Sequence, residues 1–411
     1  MTTTSAGPPA TLGWWASLRR SLDRPLMSYQ LAIGTTGILL GLGLVMVLSA
    51  SSVMSYAQHG SSYFVFSKQA MWVLIGVPVA WVVSSMPVRL IRWLAYPALL
   101  VSLLLIGLTY VPALGVNVNG NRNWLNLGGP ITVQPSEVAK LGMVLWVADL
   151  YARKEKLLED WKHLLIPMLP VTLLVAGMVV LQGDLGTALV FFAIIGGMLW
   201  VVGAPMRVLL FLGAALGSLL ALLATMEPER VKRLATFTDP MATFGDDGWQ
   251  AAHGLFALAS GSFWGVGLGG SRQKWGTLPE AHTDFIFAVI GEELGLFGTL
   301  VVLSLFMLLA YTGLRIAMRT RDPFVRYASA GITVWLLSQA LINLGMVLGL
   351  LPVIGIPLPL VSYGGSALLP TLVALGMLCA FAKTEPGARA ALDSRRRSRR
   401  RSSRRNARRE P

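Results

Sequence analysis

The sequence predicts an all-α polytopic membrane protein, and two observations support this fold class. Hydrophobic residues make up 54% of the 411 residues and charged residues only 13%, whereas soluble domains contain about 25% charged residues. The apolar residues also stand in repeated runs of about 20, which is the length of an α-helix that crosses a bilayer. A membrane β-barrel would instead show short segments that alternate between apolar and polar residues. We therefore predict about ten transmembrane helices.

The predicted spans divide the loops into two sets that differ in basic residues. An even number of spans places both termini on one side of the membrane. The loops on that side contain clusters of Lys and Arg, as at 153–162 and 315–326, whereas the opposite loops contain few. Because basic loops stay in the cytoplasm, both termini are expected to be cytoplasmic. The candidate spans lie at about residues 29–50, 64–85, 90–111, 135–152, 164–181, 185–203, 207–226, 284–314, 328–350 and 366–382.

The two chain ends differ in composition from the apolar middle. Residues 1–28 lack the pattern of a cleavable signal peptide and are expected to form a cytoplasmic segment. Residues 384–411 form a basic tail that contains much of the net charge of +14. We expect this tail to contact anionic lipid or a protein rather than nucleic acid. The transmembrane domain would then comprise residues 29–383, and its lone Cys379 excludes a disulfide framework.

Three irregular segments fall on the predicted outer face. Residues 116–130 are rich in Asn and Gly, and residues 351–366 are rich in Pro and Gly. The longest loop, at about 227–283, lies between the seventh and eighth spans. Irregular backbone at the membrane edge is tolerated only where it is buried in protein or lines a water-filled cavity. We therefore predict that the three segments share one outward cavity.

The candidate catalytic residue is Asp284, which stands where a polar stretch meets a long apolar helix. A carboxylate at this position is costly unless it has a partner or a task. One candidate partner is Lys140, which follows Glu137 by three residues and so shares a helix face with it. Two interpretations remain open for Lys140. It forms a pair with Glu137 that caps a helix start, or it faces the cavity and pairs with Asp284.

Other polar residues each allow a structural and a functional interpretation. Asp184 precedes an apolar helix and is favoured as a helix N-cap. Arg122 offers a guanidinium group that suits phosphate, and the nearby Trp124 is a residue type common at membrane interfaces. His282 either orients a substrate or caps a loop. Glu292 is expected to make structural contacts inside the bundle.

Five motifs stand along the chain. They are Asn-Arg-Asn-Trp-Leu at 121–125, Gln-Pro-Ser-Glu-Val-Ala-Lys at 134–140, Gln-Gly-Asp-Leu-Gly-Thr-Ala at 182–188, Leu-Pro-Glu-Ala-His-Thr-Asp-Phe-Ile-Phe at 278–287, and Pro-Leu-Pro-Leu-Val-Ser-Tyr-Gly-Gly-Ser at 357–366. In this order they resemble the SEDS family (shape, elongation, division and sporulation) of bacterial wall synthesis, and the resemblance covers about residues 30–383. The segment Ile-Gly-Glu-Glu-Leu-Gly at 290–295 resembles the division branch of the family more than the elongation branch.

The resemblance implies a peptidoglycan glycosyltransferase that polymerises lipid II, a disaccharide-pentapeptide on undecaprenyl pyrophosphate, at the outer face of the inner membrane. Asp284 matches the essential Asp of the family and is the expected general base. Lys140 matches the Lys that is held to pair with it, which would favour the charged carboxylate. A divalent cation, Mg²⁺ or Mn²⁺, is a candidate cofactor, although the sequence shows no dedicated metal motif. The candidate substrate-binding residues are Lys140, Arg122, Glu137, Ser136, Trp124, Asn123, His282, Glu280, Ser362 and Gly364.

The resemblance also implies partners and a place of action. The partners are a class B penicillin-binding transpeptidase of the FtsI type, division regulators of the FtsQ, FtsL, FtsB and FtsN type, lipid II and membrane lipid, at the division septum. Two alternative functions stay open, a lipid II flippase or transporter and a non-catalytic division scaffold. A transporter needs charged residues at mid-membrane, whereas the unusual residues of this chain gather at the outer helix ends. A scaffold would tolerate the loss of Asp284.

Overall fold

A computed structural model of the chain describes residues 24–118, 121–126, 128, 132–225, 237, 240–245, 248–392 and 394. Most of the predicted cytoplasmic segment 1–28, most of the basic tail 384–411 and part of the loop 227–283 lie outside the described residues.

The described chain is helical apart from one small sheet. Three short antiparallel strands, β1 (Gly115–Val118), β2 (Asn121–Asn126) and β3 (Thr132–Val133), form a sheet in that order. The helices are α1 (Met27–His59), α2 (Phe64–Ser85), α3 (Val88–Trp93), α4 (Ala95–Leu108), α5 (Pro135–Lys154), α6 (Trp161–Leu165), α7 (Met168–Leu181), α8 (Leu185–Val202), α9 (Met206–Thr225), α10 (Trp249–Ser260), α11 (Ile286–Arg319), α12 (Pro323–Val347) and α13 (Gly365–Ala382).

The helices coincide with the predicted apolar spans to within about five residues, except that α1 continues to His59, beyond the predicted end at 50. In the part of the chain that the structure describes, eight helices are long and apolar enough to cross a membrane, when α3 with α4 and α6 with α7 are each taken as one. The helix α5 is long enough but more polar, since it contains Glu137, Lys140 and Asp149. The apolar stretch within α9 is shorter, at Met206–Leu219. The chain is therefore a multi-pass membrane protein of the predicted all-α class.

The core of the bundle is formed by α12 and α13. In their most apolar stretches 78% and 83% of the residues are buried, against 17% in α2. Trp335 of α12 is completely buried, and α12 packs against α5, α8 and α11. By contrast, α2 exposes Leu74 and Trp81 at 77% and 70%. Exposed apolar side chains on a membrane helix face lipid rather than water, so α2 lies at the lipid-facing rim of the bundle.

The helix α11 is interrupted at Gly295, whose φ of 68° and ψ of −166° are not helical. The carbonyl groups of Glu292 and Glu293 lose their helical donors there. They accept instead from the backbone N–H groups of Val266 and Gly267, at 2.9 and 3.0 Å. An apolar environment leaves no water to satisfy these carbonyls, so the loop before α11 completes the helix.

The side chains of the same two glutamates hold this loop. Glu293 accepts from Lys274 at 3.0 Å and from Ser49 of α1 at 2.7 Å. Glu292 accepts from the Ser271 hydroxyl at 2.5 Å. The structural role that was predicted for Glu292 is therefore confirmed, and these contacts position the loop that leads to Asp284.

Replacement of Gly295 by Ala is expected to lower the free energy of unfolding by about 1–3 kcal/mol, because a positive φ is strained for a residue with a side chain. An added Cβ would also lie 2.4 Å from the Gly265 nitrogen. The midpoint of thermal unfolding in detergent micelles measures the effect. Gly196→Ala in α8 is the control, since its Cβ would meet no atom within 4 Å. Equal midpoints for the two variants would contradict the prediction.

Candidate active site

A cavity of about 1080 Å³ opens at one end of the helical bundle. Its walls come from the start of α2, the strands β2 and β3, the start of α8, the segment before α11, and residues 353–367. Each of the three irregular segments that were predicted to share a cavity contributes lining residues. Among these are Asn123, Glu280 and Gly355. The predicted shared cavity is therefore confirmed, with Asp284 in its wall.

The carboxyl group of Asp284 is partly exposed and faces this cavity. Within the described residues it has neither a hydrogen-bond nor an ion-pair partner, whereas its backbone carbonyl accepts from Asn343 Nδ2 at 2.7 Å. Gly355 packs beside it, since a Cβ on that glycine would lie 3.4 Å from Asp284 Oδ2. The backbone of Asp284 is thus fixed while its carboxyl oxygens stay free to accept a proton from a bound molecule.

The surroundings of Asp284 favour the protonated carboxyl. Burial raises its pKa to about 7, and the negative charges of Glu280 and Asp184 add to this effect. All three carboxyl groups line the same cavity. A general base works best when its pKa lies near the operating pH. A carboxyl group that titrates near pH 7 is therefore suited to take up and release protons at neutral pH.

Lys140 is not the partner of Asp284. Its Nζ donates to Glu137 Oε1 at 2.8 Å and to Gln339 Oε1 at 2.9 Å, and the residue is 1% exposed. Three residues are about one helical turn, so Glu137 is within reach of Lys140 on the same helix face. The predicted pairing with Asp284 is wrong, and the helix-start pair is correct. The expected lowering of the Asp284 pKa by Lys140 is wrong for the same reason.

The predicted substrate-binding residues divide into two groups. Four of them line the cavity together with Asp284, and the other six do not. The first group is Asn123, Trp124, Glu280 and Gly364, and the second is Arg122, Ser136, Glu137, Lys140, His282 and Ser362.

Local geometry explains why several residues of the second group stay outside the cavity. On β2, Asn121 and Asn123 line the cavity, whereas Arg122 between them is exposed elsewhere. Arg122 therefore does not reach the cavity, although Trp124, two residues further along the same strand, does. Ser136 and Glu137 are buried in the first turn of α5 at 1% and 2% exposure. These two residues therefore belong to the bundle interior.

His282 and Ser362 connect two segments of the cavity wall. The Ser362 hydroxyl donates to the Thr283 carbonyl at 2.6 Å and accepts from the Leu358 N–H at 2.7 Å. The backbone N–H of Tyr363 donates to the His282 carbonyl at 2.9 Å, and their rings lie 5.4 Å apart. Burial lowers the pKa of the His282 imidazole, so it is uncharged at neutral pH. Both residues support the geometry around Asp284.

Asp184 is the predicted N-cap, but it does more than cap a helix. Its Oδ1 accepts from the Thr187 N–H at 2.9 Å, as expected at the start of α8. Its Oδ2 accepts from Asn123 at 2.7 Å and from Gln134 at 3.1 Å. Asp184 therefore ties the small sheet to α8, and the Thr187 hydroxyl is its fourth donor, at 2.9 Å.

The sequence analysis missed several residues of this site. Lys68 of α2 is the one Lys or Arg among the described lining residues, and Trp72, Trp249 and Tyr363 add aromatic surface. A charged residue inside an apolar helix is an available signal, because such residues usually have a function or a partner. Tyr363 stands in the fifth motif of the sequence, whereas Trp72 and Trp249 stand in sequence that nothing distinguishes.

The described residues offer no cage for the candidate divalent cation. Across the ranges that the structure describes, no group of three or more His, Cys, Asp and Glu side chains could hold a metal ion. Hard divalent cations bind through several oxygen ligands. The described residues therefore supply no dedicated metal cage, and the chemistry below assigns no step to a metal.

Comparisons with known proteins place the chain in a family. The chain matches the FtsW/RodA/SpoVE family model, described as cell cycle protein, over residues 29–386. The probable peptidoglycan glycosyltransferase FtsW of Mycobacterium tuberculosis is 41% identical over 388 residues, which are 94% of this chain and 73% of that protein. The protein of the same name from Coxiella burnetii is 40% identical over 347 residues, 83% of this chain and 92% of that protein.

Solved structures agree with this assignment. A chain from a peptidoglycan synthase complex, in a work on the structural coordination of polymerization and crosslinking, aligns with a TM-score of 0.70 at 30% identity; it covers 86% of this chain and 97% of that one. The rod shape determining protein RodA of Thermus thermophilus aligns with a TM-score of 0.63 at 30% identity, over 86% of this chain and 96% of that one. The family predicted from the five motifs is confirmed, and the chain belongs to the FtsW/RodA/SpoVE family of cell cycle proteins.

Proposed function

We propose that this protein is a peptidoglycan glycosyltransferase that polymerises lipid II during septal wall synthesis. The single observation that carries the proposal is the carboxyl group of Asp284, which lies in the wall of a large cavity without a partner among the described residues. Burial raises its pKa to about 7. The relatives that share its family bear the name of this activity. Asp284 is the general base of the proposed reaction.

The reaction joins two lipid-linked saccharides. The sugar hydroxyl of one substrate gives its proton to Asp284, and its oxygen attacks the anomeric carbon of the other. The bond between that carbon and the pyrophosphate oxygen breaks, so undecaprenyl pyrophosphate leaves with the electron pair. The proton then passes from Asp284 to water. The charge that develops on the leaving pyrophosphate needs a cation, and Lys68 is the ammonium group in the cavity wall.

The distribution of charge supports an outward orientation of this cavity in the inner membrane. At the opposite end of the bundle, Arg92 and Arg153 both form ion pairs with Asp149, and Lys383 donates to the Ser84 carbonyl. Basic loops stay in the cytoplasm, so this end faces inward and the cavity opens outward. Lipid II carries its sugars on the outer side, where the polymer is needed.

The proposed partner is a class B penicillin-binding transpeptidase. One structural relative belongs to a complex described for polymerization and crosslinking. A polymerase that delivers glycan strands needs a crosslinking enzyme at the same face of the membrane. We expect division regulators of the FtsQ, FtsL, FtsB and FtsN type to bind the assembled pair at the septum.

A reconstituted assay tests the proposed function. Purified protein and its transpeptidase are placed in vesicles with lipid II, and glycan strands are separated by size on a gel. Strands that depend on this protein support the proposal. Lipid II that crosses the bilayer without forming strands would identify a flippase, and a failure of both would leave a scaffold.

The rate of polymerisation is expected to fall as the pH decreases through about 7. The base is active when it is deprotonated, and the pKa of Asp284 is raised to about 7. The variant Glu280→Gln removes one of the negative charges that raise this pKa. The acid limb of its pH–rate profile, where the rate falls as the pH decreases, should therefore lie at lower pH than that of the wild type. Initial rates across pH 5 to 9, a range of about two units on each side of that pKa, measure the acid limb of each protein. An unshifted acid limb in Glu280→Gln would exclude Glu280 as a neighbour that acts on Asp284.

A further inference from the structure

Two amide side chains of α12 contact the wall of the cavity from inside the bundle. Gln339 and Asn343 stand four residues apart, so they share one helix face. Both are buried, at 2% and 0% exposure. Amide groups inside an apolar helix need partners, and neither residue belongs to the five motifs of the sequence.

Asn343 connects Asp284 to the opposite segment of the wall. Its Nδ2 donates to the carbonyl of Asp284 at 2.7 Å and to the carbonyl of Ile356 at 2.7 Å. Both hydrogens of one amide nitrogen are thereby used on two carbonyls from separate segments. One side chain thereby bridges the Asp284 backbone and the 353–357 segment.

Gln339 continues this arrangement by one helical turn. Its Nε2 donates to the carbonyl of Pro357 at 3.1 Å. Its Oε1 accepts from Lys140 at 2.9 Å and from the indole N–H of Trp335 at 3.0 Å. The two donors on Oε1 fix the orientation of the amide, so its nitrogen is directed at the wall.

The segment that these amides hold forms the face of the cavity beside Asp284. Ile354, Gly355 and Pro357 line the cavity. A Cβ on Gly355 would lie 3.4 Å from Asp284 Oδ2, so the backbone of this segment restricts the carboxyl group. Irregular backbone in such a place must be satisfied by protein donors, because no lipid can supply them.

We propose that Gln339 and Asn343 are positioning residues that hold Asp284 and the 353–357 segment in one arrangement, and that Lys140 acts on the site through Gln339. Lys140 touches no reacting group in this arrangement. Its charge orients the Gln339 amide, and the amide holds the wall. For its catalytic consequence the proposal rests on the proposed function, whereas the arrangement itself does not depend on it.

The experiment compares Asn343→Ala and Gln339→Leu with Leu341→Ala in full-length protein. Leu341 lies on the same helix but is 65% exposed toward lipid. Loss of the donors should let the wall move by a fraction of an ångström to about 1 Å. A displacement of this size lowers kcat by about 10- to 100-fold with KM within about twofold. Leu341→Ala should match the wild type.

The acid limb of the pH profile gives a second readout that a loss of folded protein would not move. A looser wall admits water to Asp284, which reduces the desolvation that raises its pKa. The limb should shift to lower pH by about one unit. The other titratable groups in the cavity wall, Lys68, Asp184, Glu280 and Tyr363, are unchanged in these variants.

A titration without substrate separates this inference from the proposed function. The carbonyl stretch of protonated Asp284, isolated by infrared difference against Asp284→Asn, follows its pKa directly. A lower pKa of Asp284 in Asn343→Ala supports the inference even if the wild-type protein polymerises no glycan and the proposed function is wrong. Where Asn343→Ala does not fold, Asn343→Ser keeps one donor and should show a smaller shift in the same direction. Unchanged kcat together with an unchanged pKa in the folded variants would overturn the inference.

Discussion

Asp284→Asn is expected to lower kcat for lipid II polymerisation by about 10²- to 10⁴-fold, which is the usual contribution of a general base. The amide has nearly the shape of the carboxyl group but cannot accept the hydroxyl proton. No ion pair or hydrogen bond of the described side chain is lost, so the fold and KM should persist. Steady-state kinetics on the reconstituted protein and its transpeptidase measure the effect.

The matched control is Asp322→Asn at the N-cap of α12, where Asp322 accepts from the Phe324 N–H at 3.0 Å. Asn caps helices about as well as Asp, so this variant should retain wild-type activity. Wild-type kcat in Asp284→Asn would remove the assignment of the base. Loss of folded protein in Asp284→Asn would show that the carboxyl group has a structural contact.

Lys140→Ala is expected to lower the free energy of unfolding by about 3–5 kcal/mol and to abolish polymerisation. The change leaves the carboxylate of Glu137 buried without its cation, and an uncompensated buried charge is strongly destabilising. The oxygen Glu137 Oε2 already has no partner within the described residues. The acceptor Gln339 Oε1 also loses one of its two donors. Thermal unfolding in micelles and the polymerisation assay measure the two effects.

The double variant Lys140→Met with Glu137→Gln distinguishes the observed pair from a pair with Asp284. Removing both charges leaves no uncompensated carboxylate at this place, so most of the lost stability should return. A Lys140 that served Asp284 instead would leave that carboxylate unpaired in both variants. An equal unfolding midpoint for Lys140→Met and the double variant would therefore argue against the Glu137 pair.

The local periodicity of the sequence was sufficient to predict the helices. Apolar runs of about 20 residues predicted the bounds of α2 and α8 closely, although α1 is longer than its predicted span. The N-cap of Asp184 and the first-turn position of Glu137 followed in the same way, because these features depend on neighbours within one helical turn. The break of α11 at Gly295 was not predicted, since it depends on a loop that begins about 30 residues earlier.

The shared cavity was predictable for a different reason. Irregular backbone at a membrane edge has few acceptable places, so three such segments on one face had to meet. Which side chains enter the cavity could not be predicted. Arg122 and Asn123 are neighbours, yet of these two only Asn123 lines it, because a hydrogen bond to Asp184 at the start of α8 holds the Asn123 amide there. Lys68 enters it from α2, at a distance in sequence from every motif.

By itself, the sequence determined the membrane class of this protein, its helices, its family and the position of Asp284 at the start of α11. These follow from hydrophobicity, periodicity and local motifs, which act over a few residues. Only the tertiary structure decided that Lys140 contacts Glu137 and Gln339, and that the Asp284 carboxyl group has no cationic partner among the described residues. The sequence predicts that Lys140 and Asp284 lie at the same end of the bundle. In the structure Lys140 donates to Gln339 and Asn343 donates to the Asp284 carbonyl, so two amides of α12 stand where an ion pair was expected. Which distant residues pair depends on how the helices pack, and the sequence pattern does not contain the distances between side chains on different helices.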